Sequence, residues 1–397
     1  MGSRLGSELP PYSQRSNGGL SVVNASYIVK LTEVCNLACS YCYYFKHRKD
    51  VKVPIMRTPL LESLIGQAAE LSQHVWFIWH GGEPLMAGKD LFQTIVDLQK
   101  FHSQQKGVTF KNSVQTNGTL LDDEWCSFFE RNQFDVGVSL DGPEDLHNAY
   151  RVYPGGKGSF SAVMHGWKLL TESKTPAGAL AVISRESLGK AEEIFRFFLR
   201  EGILNFNLLP CMEVDGKNGN LTPQSIQPAE YAQFLGEIYD LLIQEDNPAV
   251  KITDIFNILV ALLGGKPSSC RVNGTCGVYV TVQSDGTVWP CDNFVGTEGF
   301  RLGNLQEQTL AEILSGGPRK CFQSWVISQR SACRGCELNA VCKGGCSWRH
   351  YQRTCLGLPP GSYWCDANKA IFRRIAKHLE STVTGDVSGL QKIVRAH

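Results

Sequence analysis

Hydrophobic and polar residues follow one another along the first half of the chain in a regular order that predicts alternating strands and helices. Six short apolar runs predict buried strands, and a stretch with helical periodicity follows each of the first five. The strands are predicted at residues 25–31, 75–79, 113–118, 135–141, 178–183 and 205–209. Because such alternation favours parallel βα units, we expect an α/β fold whose sheet is rolled into a barrel or part of one.

The second half of the chain loses this regular alternation. A polar stretch from Glu213 to Gln227 predicts a long loop, and cysteines become frequent after Ser268. Two helices are predicted at 228–244 and 252–263, a hairpin at 278–290 and a last helix at 366–379. We expect five segments: an N-terminal tail (1–24), a barrel domain (25–227), bridging helices (228–267), a cysteine-rich domain (268–366), and a C-terminal helix and tail (367–397).

Composition describes an ordinary globular chain of 397 residues, with 43% hydrophobic and 19% charged residues. A formal net charge of +1 provides no field that favours nucleic acid or an anionic membrane as a partner. The first 24 residues lack the apolar core of a signal peptide, and no apolar run approaches the ~18 residues of a membrane-spanning helix. We therefore expect a cytoplasmic protein, in which the fifteen cysteines are metal ligands or core residues rather than disulfides.

Three cysteines at C-x3-C-x2-C spacing directly follow the first predicted strand: Cys35, Cys39 and Cys42. Thiolates on one tight loop can face a common point, and such soft ligands select zinc, copper(I) or iron–sulfur clusters. The loop itself supplies no fourth cysteine or histidine. From this loop alone, an iron–sulfur cluster with one open iron and a zinc site completed from elsewhere remain equal alternatives.

Polar residues mark the ends of the next three predicted strands, where parallel sheets place their sites. The second strand ends in His80-Gly81-Gly82-Glu83, whose glycines let the backbone approach a ligand closely and whose carboxylate suits an ammonium group. The other two ends carry Gln115 and Asn117, and Ser139 and Asp141. Turn chemistry, or a core position for His80, is the alternative explanation.

Cysteines of the last third have spacings that suggest pairs of metal ligands, with Cys-x5-Cys, Cys-x2-Cys and Cys-x3-Cys intervals. The residues concerned are Cys270, Cys276, Cys291, Cys333, Cys336, Cys342, Cys346 and Cys365, with Cys355 as an alternative to Cys365. Two zinc sites remain an alternative, because Cys-x2-Cys is also zinc-ribbon spacing.

The stretches CNLACSYC, GGEP and SLDGP at successive strand ends resemble those of radical S-adenosylmethionine (SAM) enzymes. The resemblance implies a partial, six-stranded βα barrel in which Cys35, Cys39 and Cys42 hold a [4Fe–4S] cluster, with SAM on its open iron. It also implies four SAM contacts: Glu83 with the ammonium, Tyr41 near the adenine, Ser139 at the ribose or carboxylate, and Arg151 with the carboxylate.

The later cysteines resemble the SPASM extension of that family, which carries two auxiliary [4Fe–4S] clusters. The resemblance assigns the first auxiliary cluster to Cys270, Cys276, Cys291 and Cys346. It assigns the second to Cys333, Cys336, Cys342 and Cys365. Three clusters and SAM are therefore the expected cofactors.

Among SPASM enzymes, the chain resembles most the anaerobic sulfatase-maturating enzymes, which oxidise a peptide Cys or Ser to formylglycine. Shared stretches include Gln115–Leu120, Asn273–Cys276, Pro290–Asp292, Leu302–Asn304 and Cys342–Cys346. By this resemblance Asp292 is the general base and Tyr44 lies near the substrate, as His80, Gln115 and Asn117 are also expected to do. The chain departs from the family after Cys346, where Ser347 stands in place of a frequent proline and begins the unfamiliar stretch Ser347-Trp348-Arg349-His350.

The expected partners are a peptide or protein substrate and an electron donor such as flavodoxin or ferredoxin. A maturase that forms thioether or carbon–carbon crosslinks in ribosomal peptides is the main alternative, followed by a small-molecule SPASM dehydrogenase. A non-catalytic binding module stabilised by zinc is the alternative from another class of protein. Such a protein would be colourless, whereas an iron–sulfur protein is brown.

Overall fold

One continuous sheet of ten strands organises the computed structural model, which describes residues 24–44, 55–214 and 220–382. The order of the strands is β10-β9-β8-β1-β2-β3-β4-β5-β6-β7. The predicted N-terminal tail, apart from its last residue, and part of the predicted loop at 213–227 lie outside the described residues. The segment boundaries proposed from the sequence stay predictions.

Six parallel strands in chain order form the larger part of the sheet and confirm the predicted α/β fold. They are β1 (Asn24–Thr32), β2 (His74–Gly81), β3 (Thr109–Thr116), β4 (Phe134–Ser139), β5 (Ala177–Ile183) and β6 (Asn205–Pro210). Between them lie α1 (Thr58–Leu71), α2 (Lys89–Lys106), α3 (Asp123–Arg131), α4 (Glu144–Tyr150), α5 (Phe160–Glu172) and α6 (Ala191–Arg200). Helix α4 was not predicted, because seven residues are too few to show helical periodicity.

A two-residue strand between two helices was also not predicted. Helix α7 (Pro228–Glu245) is followed by β7 (Lys251–Ile252), which pairs with β6, and then by α8 (Thr253–Leu262). The sequence places Ile252 at the start of the helix, but the residue is extended and continues the parallel sheet by one short strand.

The cysteine-rich segment joins the same sheet. Its predicted hairpin is present as β8 (Tyr279–Val282) and β9 (Thr287–Trp289), and β10 (Gly303–Asn304) adds to β9. Strand β8 pairs in parallel with β1, with Ser26 opposite Tyr279. The helices of this segment are α9 (Cys270–Asn273), α10 (Leu310–Ser315), α11 (Gly317–Gln329), α12 (Asn339–Cys342), α13 (Ser347–Cys355) and α14 (Cys365–Thr382).

Alternation along β1 and β2 separates an apolar face from a face that carries polar groups. Tyr27 and Val29 of β1 are buried in the main apolar core. On the other face, Ile28 lies opposite Ile78, and Lys30 lies opposite His80. The register of two neighbouring strands therefore places a lysine beside a histidine. Among the described residues, no helix is both long and apolar enough to cross a membrane.

Candidate functional site

The cysteine loop after β1 is held in place by backbone hydrogen bonds. Ala38 N donates to Val152 O at 2.7 Å, and Ser40 N donates to Tyr150 O at 3.2 Å. Within the loop, Cys42 N donates to Cys39 O at 3.1 Å. The loop therefore has a fixed shape in which the charges of Cys35, Cys39 and Cys42 act on one another.

Two glycines at the end of β2 allow this strand to pack against the cysteine loop. Gly82 N donates to Thr32 O and Glu83 N donates to Val34 O, both at 2.8 Å. A Cβ atom on Gly81, whose φ is +136°, would lie 2.2 Å from Thr32 O, and one on Gly82 would lie 2.1 Å from Val34 O. The glycines thus allow the end of β2 to approach the backbone of Thr32 and Val34 closely. From the sequence, a close approach to a ligand was expected instead.

Glu83 is completely buried and ties the ends of β2 and β3 together. Its carboxylate accepts hydrogen bonds from Thr116 Oγ1 at 2.7 Å, Asn117 N at 2.7 Å and Leu85 N at 3.1 Å. Burial raises the pKa of Glu83 to about 7 in spite of these donors. No lysine or arginine pairs with it in the part of the chain that the structure describes. One acceptor position of the carboxylate remains, which fits the ammonium of a ligand.

Tyr41, Asp141 and Arg151 form a buried polar group beside the loop. The Tyr41 hydroxyl donates to Asp141 Oδ2, and Arg151 Nε lies 3.0 Å from the same oxygen. The guanidinium of Arg151 also lies 5.4 Å from the centre of the Tyr41 ring. Burial opposes the charge of Arg151, but Asp141 outweighs it and raises the arginine's pKa. Arg151 therefore keeps its charge and, beyond Nε, four further donors for a ligand.

The remaining strand-end residues contact one another or the loop. Gln115 Nε2 donates to Ser139 Oγ at 3.2 Å across β3 and β4. Asn117 Nδ2 donates to Asn36 Oδ1 at 2.8 Å and lies 3.7 Å from Cys35 Sγ. Asn117 thus supports the cysteine loop, and its expected contact with a substrate stays a prediction.

Asp292 is the centre of a second buried polar group. It forms an ion pair with Lys30, whose side chain is 0% exposed while that of Asp292 is 15% exposed. The Tyr43 hydroxyl donates to the other carboxylate oxygen of Asp292. Burial would raise the pKa of Asp292, but the charge of Lys30 and the hydrogen bonds from Lys30 and Tyr43 hold it below its ordinary value. The carboxylate is therefore ionised and fixed from two sides.

Lys30 also determines which nitrogen of His80 carries the proton. Lys30 Nζ lies 2.8 Å from His80 Nδ1, and burial lowers the pKa of His80 to about 4. An ammonium group has donors only, so Nδ1 must accept and the proton of the neutral ring must be on Nε2. His80 therefore presents an N–H donor on its far side.

Tyr44 and Glu33 extend this group on the other side of Lys30. The Tyr44 hydroxyl donates to Glu33 Oε2, and Ser284 Oγ donates to Glu33 Oε1 at 3.3 Å. Lys30 Nζ lies 4.6 Å from the centre of the Tyr44 ring. The sequence had singled out Tyr44 and His80, but not Lys30, Glu33 or Tyr43. A lone lysine within the apolar run of β1 was the signal available for Lys30.

Five cysteines of the last third line one cavity of about 400 Å³ together with Asp292. Four of them, which we call the first quartet, are Cys270, Cys276, Cys291 and Cys346, and the fifth, Cys342, also lines a second cavity. Their thiolate charges act on one another, and burial followed by this repulsion raises the pKa of Cys270 to about 12. Cys276 and Cys291 pack against an apolar cluster of Phe294, Phe322, Val326, Phe300, Trp325, Trp348 and Tyr351.

Another four cysteines surround a small cavity of about 30 Å³. They are Cys333, Cys336, Cys342 and Cys365, which we call the second quartet. Burial and the charges of its neighbours raise the pKa of Cys342 to about 11. Cys355, the alternative to Cys365, is exposed and does not line this cavity.

The chemistry of these three cysteine sets fits iron–sulfur clusters. Buried thiols with raised pKa values stay protonated unless a metal takes the place of their protons, and burial raises the pKa of Cys39 to about 12 as well. Among the described residues, no three His, Cys, Asp or Glu side chains lie close enough to bind a single metal ion. All three sets consist of soft thiolate ligands, which suit an iron–sulfur cluster.

Comparison with known families gives two matches. Residues 29–198 match the radical SAM superfamily, and residues 274–337 match the SPASM iron–sulfur cluster-binding domain. These segments contain the cysteine loop and four of the eight cysteines of the two quartets.

Individual relatives match over most of their length. The chain is 30% identical over 347 residues to a cysteine-type anaerobic sulfatase-maturating enzyme of Clostridium novyi, covering 86% of this chain and 92% of that protein. It is 32% identical over 367 residues to a serine-type enzyme of Bacteroides thetaiotaomicron, covering 87% and 88%. A solved structure described as native anSMEcpe with bound AdoMet and Cp18Cys peptide is similar with a TM-score of 0.81 and 30% identity, covering 90% of this chain and 98% of that one.

Proposed function

The chain belongs to the anaerobic sulfatase-maturating enzymes, radical SAM oxidoreductases with a SPASM domain, and on that basis we propose that it oxidises a Cys or Ser side chain of a sulfatase to formylglycine. The observation that carries this proposal is the position of Asp292. Its carboxylate directly follows Cys291 of the first quartet, is paired with Lys30 and lines the 400 Å³ cavity. A base at such a place suits the removal of a proton from a substrate side chain.

Three cysteine sets provide the residues that would hold the cofactors. Cys35, Cys39 and Cys42 would hold the SAM-binding cluster, and the two quartets would hold one auxiliary [4Fe–4S] cluster each. Glu83, Tyr41, Arg151 and Ser139 would contact SAM. When bound, these groups supply the 5′-deoxyadenosyl radical that removes a β-hydrogen and the acceptor for the electron that must leave afterwards. An external reductant such as flavodoxin or ferredoxin would deliver the electron that begins the cycle.

Asp292 takes the proton in the second half of the reaction. Once the β-carbon has lost a hydrogen atom, formation of the carbon–sulfur or carbon–oxygen double bond requires loss of the thiol or hydroxyl proton and of one electron. With a cysteine substrate, water then replaces the sulfur of the thioaldehyde, which leaves as hydrogen sulfide. A side chain acts as general base when it is ionised and within hydrogen-bond reach of that proton. Lys30 and Tyr43 keep Asp292 ionised and oriented, and the cavity gives a substrate side chain access to it.

His80 helps to place the substrate. Its Nε2–H has no hydrogen-bond partner among the described residues, so it is free to donate to a polar atom of the peptide. Burial lowers the pKa of His80 to about 4, which keeps the ring neutral and the donor in place near neutral pH.

Mass spectrometry of modified peptides tests the proposed function. Reconstituted enzyme would be incubated anaerobically with SAM, dithionite and peptides that span the active-site Cys or Ser of a sulfatase. We expect an aldehyde that hydrazine reagents trap, located by fragment ions at the Cys or Ser. A mass loss without a trappable aldehyde, with fragment ions joining two residues, would replace this function with crosslinking.

Replacing Glu83 by Gln is expected to weaken SAM binding by about ten- to hundredfold. A charge-assisted hydrogen bond to an ammonium is worth roughly 1.5–3 kcal/mol. In addition, the NH2 group of the glutamine would face at least one of the three donors that now bond to the carboxylate. Calorimetry of SAM binding and thermal unfolding are measured together, with Glu70→Gln on the exposed face of α1 as the control. Normal SAM affinity in a destabilised Glu83→Gln protein would limit Glu83 to joining the two strands.

Replacing Lys30 by Met is expected to reduce the yield of formylglycine per deoxyadenosine by about tenfold or more. Asp292 would lose its cationic partner, and a charge-assisted hydrogen bond contributes roughly 1.5–3 kcal/mol. Both products are quantified in the same reaction. Lys30→Arg, which keeps the charge, should retain more of the yield, and Lys111→Met on β3 controls for loss of a strand lysine. An unchanged ratio would show that Asp292 works without Lys30.

A further inference from the structure

Arg349 is a half-buried cation for which the protein provides no carboxylate ion-pair partner among the described residues. It lies on α13 and lines the 400 Å³ cavity with the four cysteines of the first quartet. Its Nη1 donates to Met212 O at 3.3 Å and to Gln352 Oε1 at 2.5 Å, and both of these acceptors are neutral. Arg349 is part of the stretch in which the sequence departs from the family pattern.

A second arginine at the same cavity shows the contrast. Arg271 directly follows Cys270 and forms an ion pair with Asp254, which lines the cavity too. The charge of Arg271 is therefore compensated within the protein. The charge of Arg349 is not compensated in this way, and an unpaired charge that is partly removed from water is costly unless an anion lies nearby.

The cavity that Arg349 lines contains a potential anion, the first quartet itself. Cys346, three residues earlier on the chain, is the strongest of the negative groups that act on its guanidinium, followed by Glu213. Four thiolates outweigh the net positive charge of an iron–sulfide core, so the assembled site would be anionic. Taking up an electron would make it more negative still.

Aromatic side chains around the first quartet exclude water and so strengthen the electrostatic effect of a nearby cation. Phe294, Trp348 and Tyr351 belong to the apolar cluster that packs against Cys276 and Cys291. Excluding water from an anionic cluster disfavours its reduction, whereas a cation in the same low-dielectric space favours it.

We propose that Arg349 is a positioning charge that raises the reduction potential of the first-quartet cluster and so makes it a better acceptor for the substrate electron. The inference rests on the proposed function, in which the substrate loses a hydrogen atom to deoxyadenosyl, one proton to Asp292 and one electron to this cluster. Arg349 takes no part in bond making. It stabilises the additional negative charge of the reduced cluster.

Two substitutions with opposite expected signs test the proposal. Arg349→Gln removes the uncompensated cation and is expected to lower one cluster's midpoint potential. The shift should correspond to at least a tenfold change in its electron-transfer equilibrium, which is 59 mV for one electron. Asp254→Asn frees the charge of Arg271 and is expected to raise the potential of the same cluster. A loss of packing alone does not predict shifts of opposite sign.

EPR-monitored redox titration of the anaerobic holoenzyme, without peptide, provides the measurement. Arg349→Lys should keep most of the wild-type potential, and Arg301→Gln, whose side chain is 50% exposed and pairs with Glu307, should leave all potentials unchanged. If Arg349→Gln fails to retain iron, Arg349→Lys and Asp254→Asn still decide the matter. Unchanged potentials in both Arg349→Gln and Asp254→Asn would overturn the proposal.

An activity assay separates this inference from the function on which it rests. With sulfatase peptide, Arg349→Gln should give less formylglycine per deoxyadenosine at unchanged peptide affinity. A raised peptide Kd with a normal potential would make Arg349 a substrate-binding residue and overturn the proposal. Failure of the wild-type enzyme to modify any sulfatase peptide would instead remove the proposed function, while the potentials measured without peptide would still stand.

Discussion

The Asp292→Asn protein is expected to cleave SAM and yet leave its peptide substrate almost unmodified. General base catalysis typically contributes 10²–10⁴-fold, so the yield of formylglycine should fall by roughly that factor. The β-hydrogen is removed before the base is needed. Deuterium placed at the target β-carbon should therefore still appear in deoxyadenosine.

Three further measurements keep a structural effect of this substitution apart from a catalytic one. Asp292→Asn leaves Lys30 without its partner, and breaking a buried pair costs about 3–5 kcal/mol. Iron content, SAM affinity and unfolding temperature are therefore determined beside the product yield. Asp285→Asn, in the turn of the β8–β9 hairpin, is the matched control. Full product yield from Asp292→Asn would remove the base and weaken the formylglycine proposal with it.

Replacing Cys35, Cys39 and Cys42 together by Ala is expected to abolish SAM cleavage. In the proposed assignment these three thiols would leave one iron open for SAM, whereas each quartet would provide four ligands and close its cluster. The protein should lose one cluster of three and stay brown. Deoxyadenosine measured under dithionite, together with iron and sulfide content, provides the test.

Cysteines outside the three sets supply the control for that variant. Cys321 and Cys355 are exposed and line neither of the quartet cavities. Cys321→Ala and Cys355→Ala should keep full iron content and full SAM cleavage. Deoxyadenosine formation by the triple variant would mean that SAM is cleaved at a quartet and that the assignment of the active cluster is wrong.

Local patterns along the chain were sufficient to predict most elements of the sheet. The six parallel strands are apolar runs with helices between them, and each strand pairs with the strand before it. Strand β7 was missed because two extended residues carry no period. The pairing of β8 with β1 was missed for a different reason. It joins segments far apart in the sequence, and neither segment carries a local signal for its partner.

The candidate site was predictable where a residue has distinctive chemistry, and less so where its role depends on neighbours. Asp292 and Glu83 stand in short motifs that the family resemblance recognises. Lys30 does not, and its meaning emerges only when the register of β1 and β2 places it beside His80. The glycines before Glu83 illustrate the same point, because the group they approach is the backbone of a loop 48 residues earlier, Val34 for Gly82.

The two quartets illustrate that the spacing of cysteines along a sequence does not determine which of them share a site. Cys-x2-Cys intervals suggest that neighbours share a site, and this holds for Cys333 and Cys336. Cys342 and Cys346 lie almost as close along the chain, but the strongest thiolate charge on Cys270 comes from Cys346, whereas the strongest on Cys342 comes from Cys365. The Gly344-Gly345 stretch between them, with both φ angles positive, turns the backbone so that Cys342 reaches the second-quartet cavity, which Cys346 does not line.

The place of β1 between β2 and β8 has a consequence for how the protein is made. Ser26 and its partner Tyr279 are separated by about 250 residues, and synthesis proceeds at roughly 5–20 residues per second. One edge of β1 therefore stays open on the ribosome for roughly 13–50 s, long enough to attract a wrong strand. The cysteine loop directly follows β1 in the chain. Strand β8, which completes the pairing of β1, is synthesised only with the last third of the polypeptide. Iron that binds earlier would therefore bind to a loop whose strand is paired on one side only.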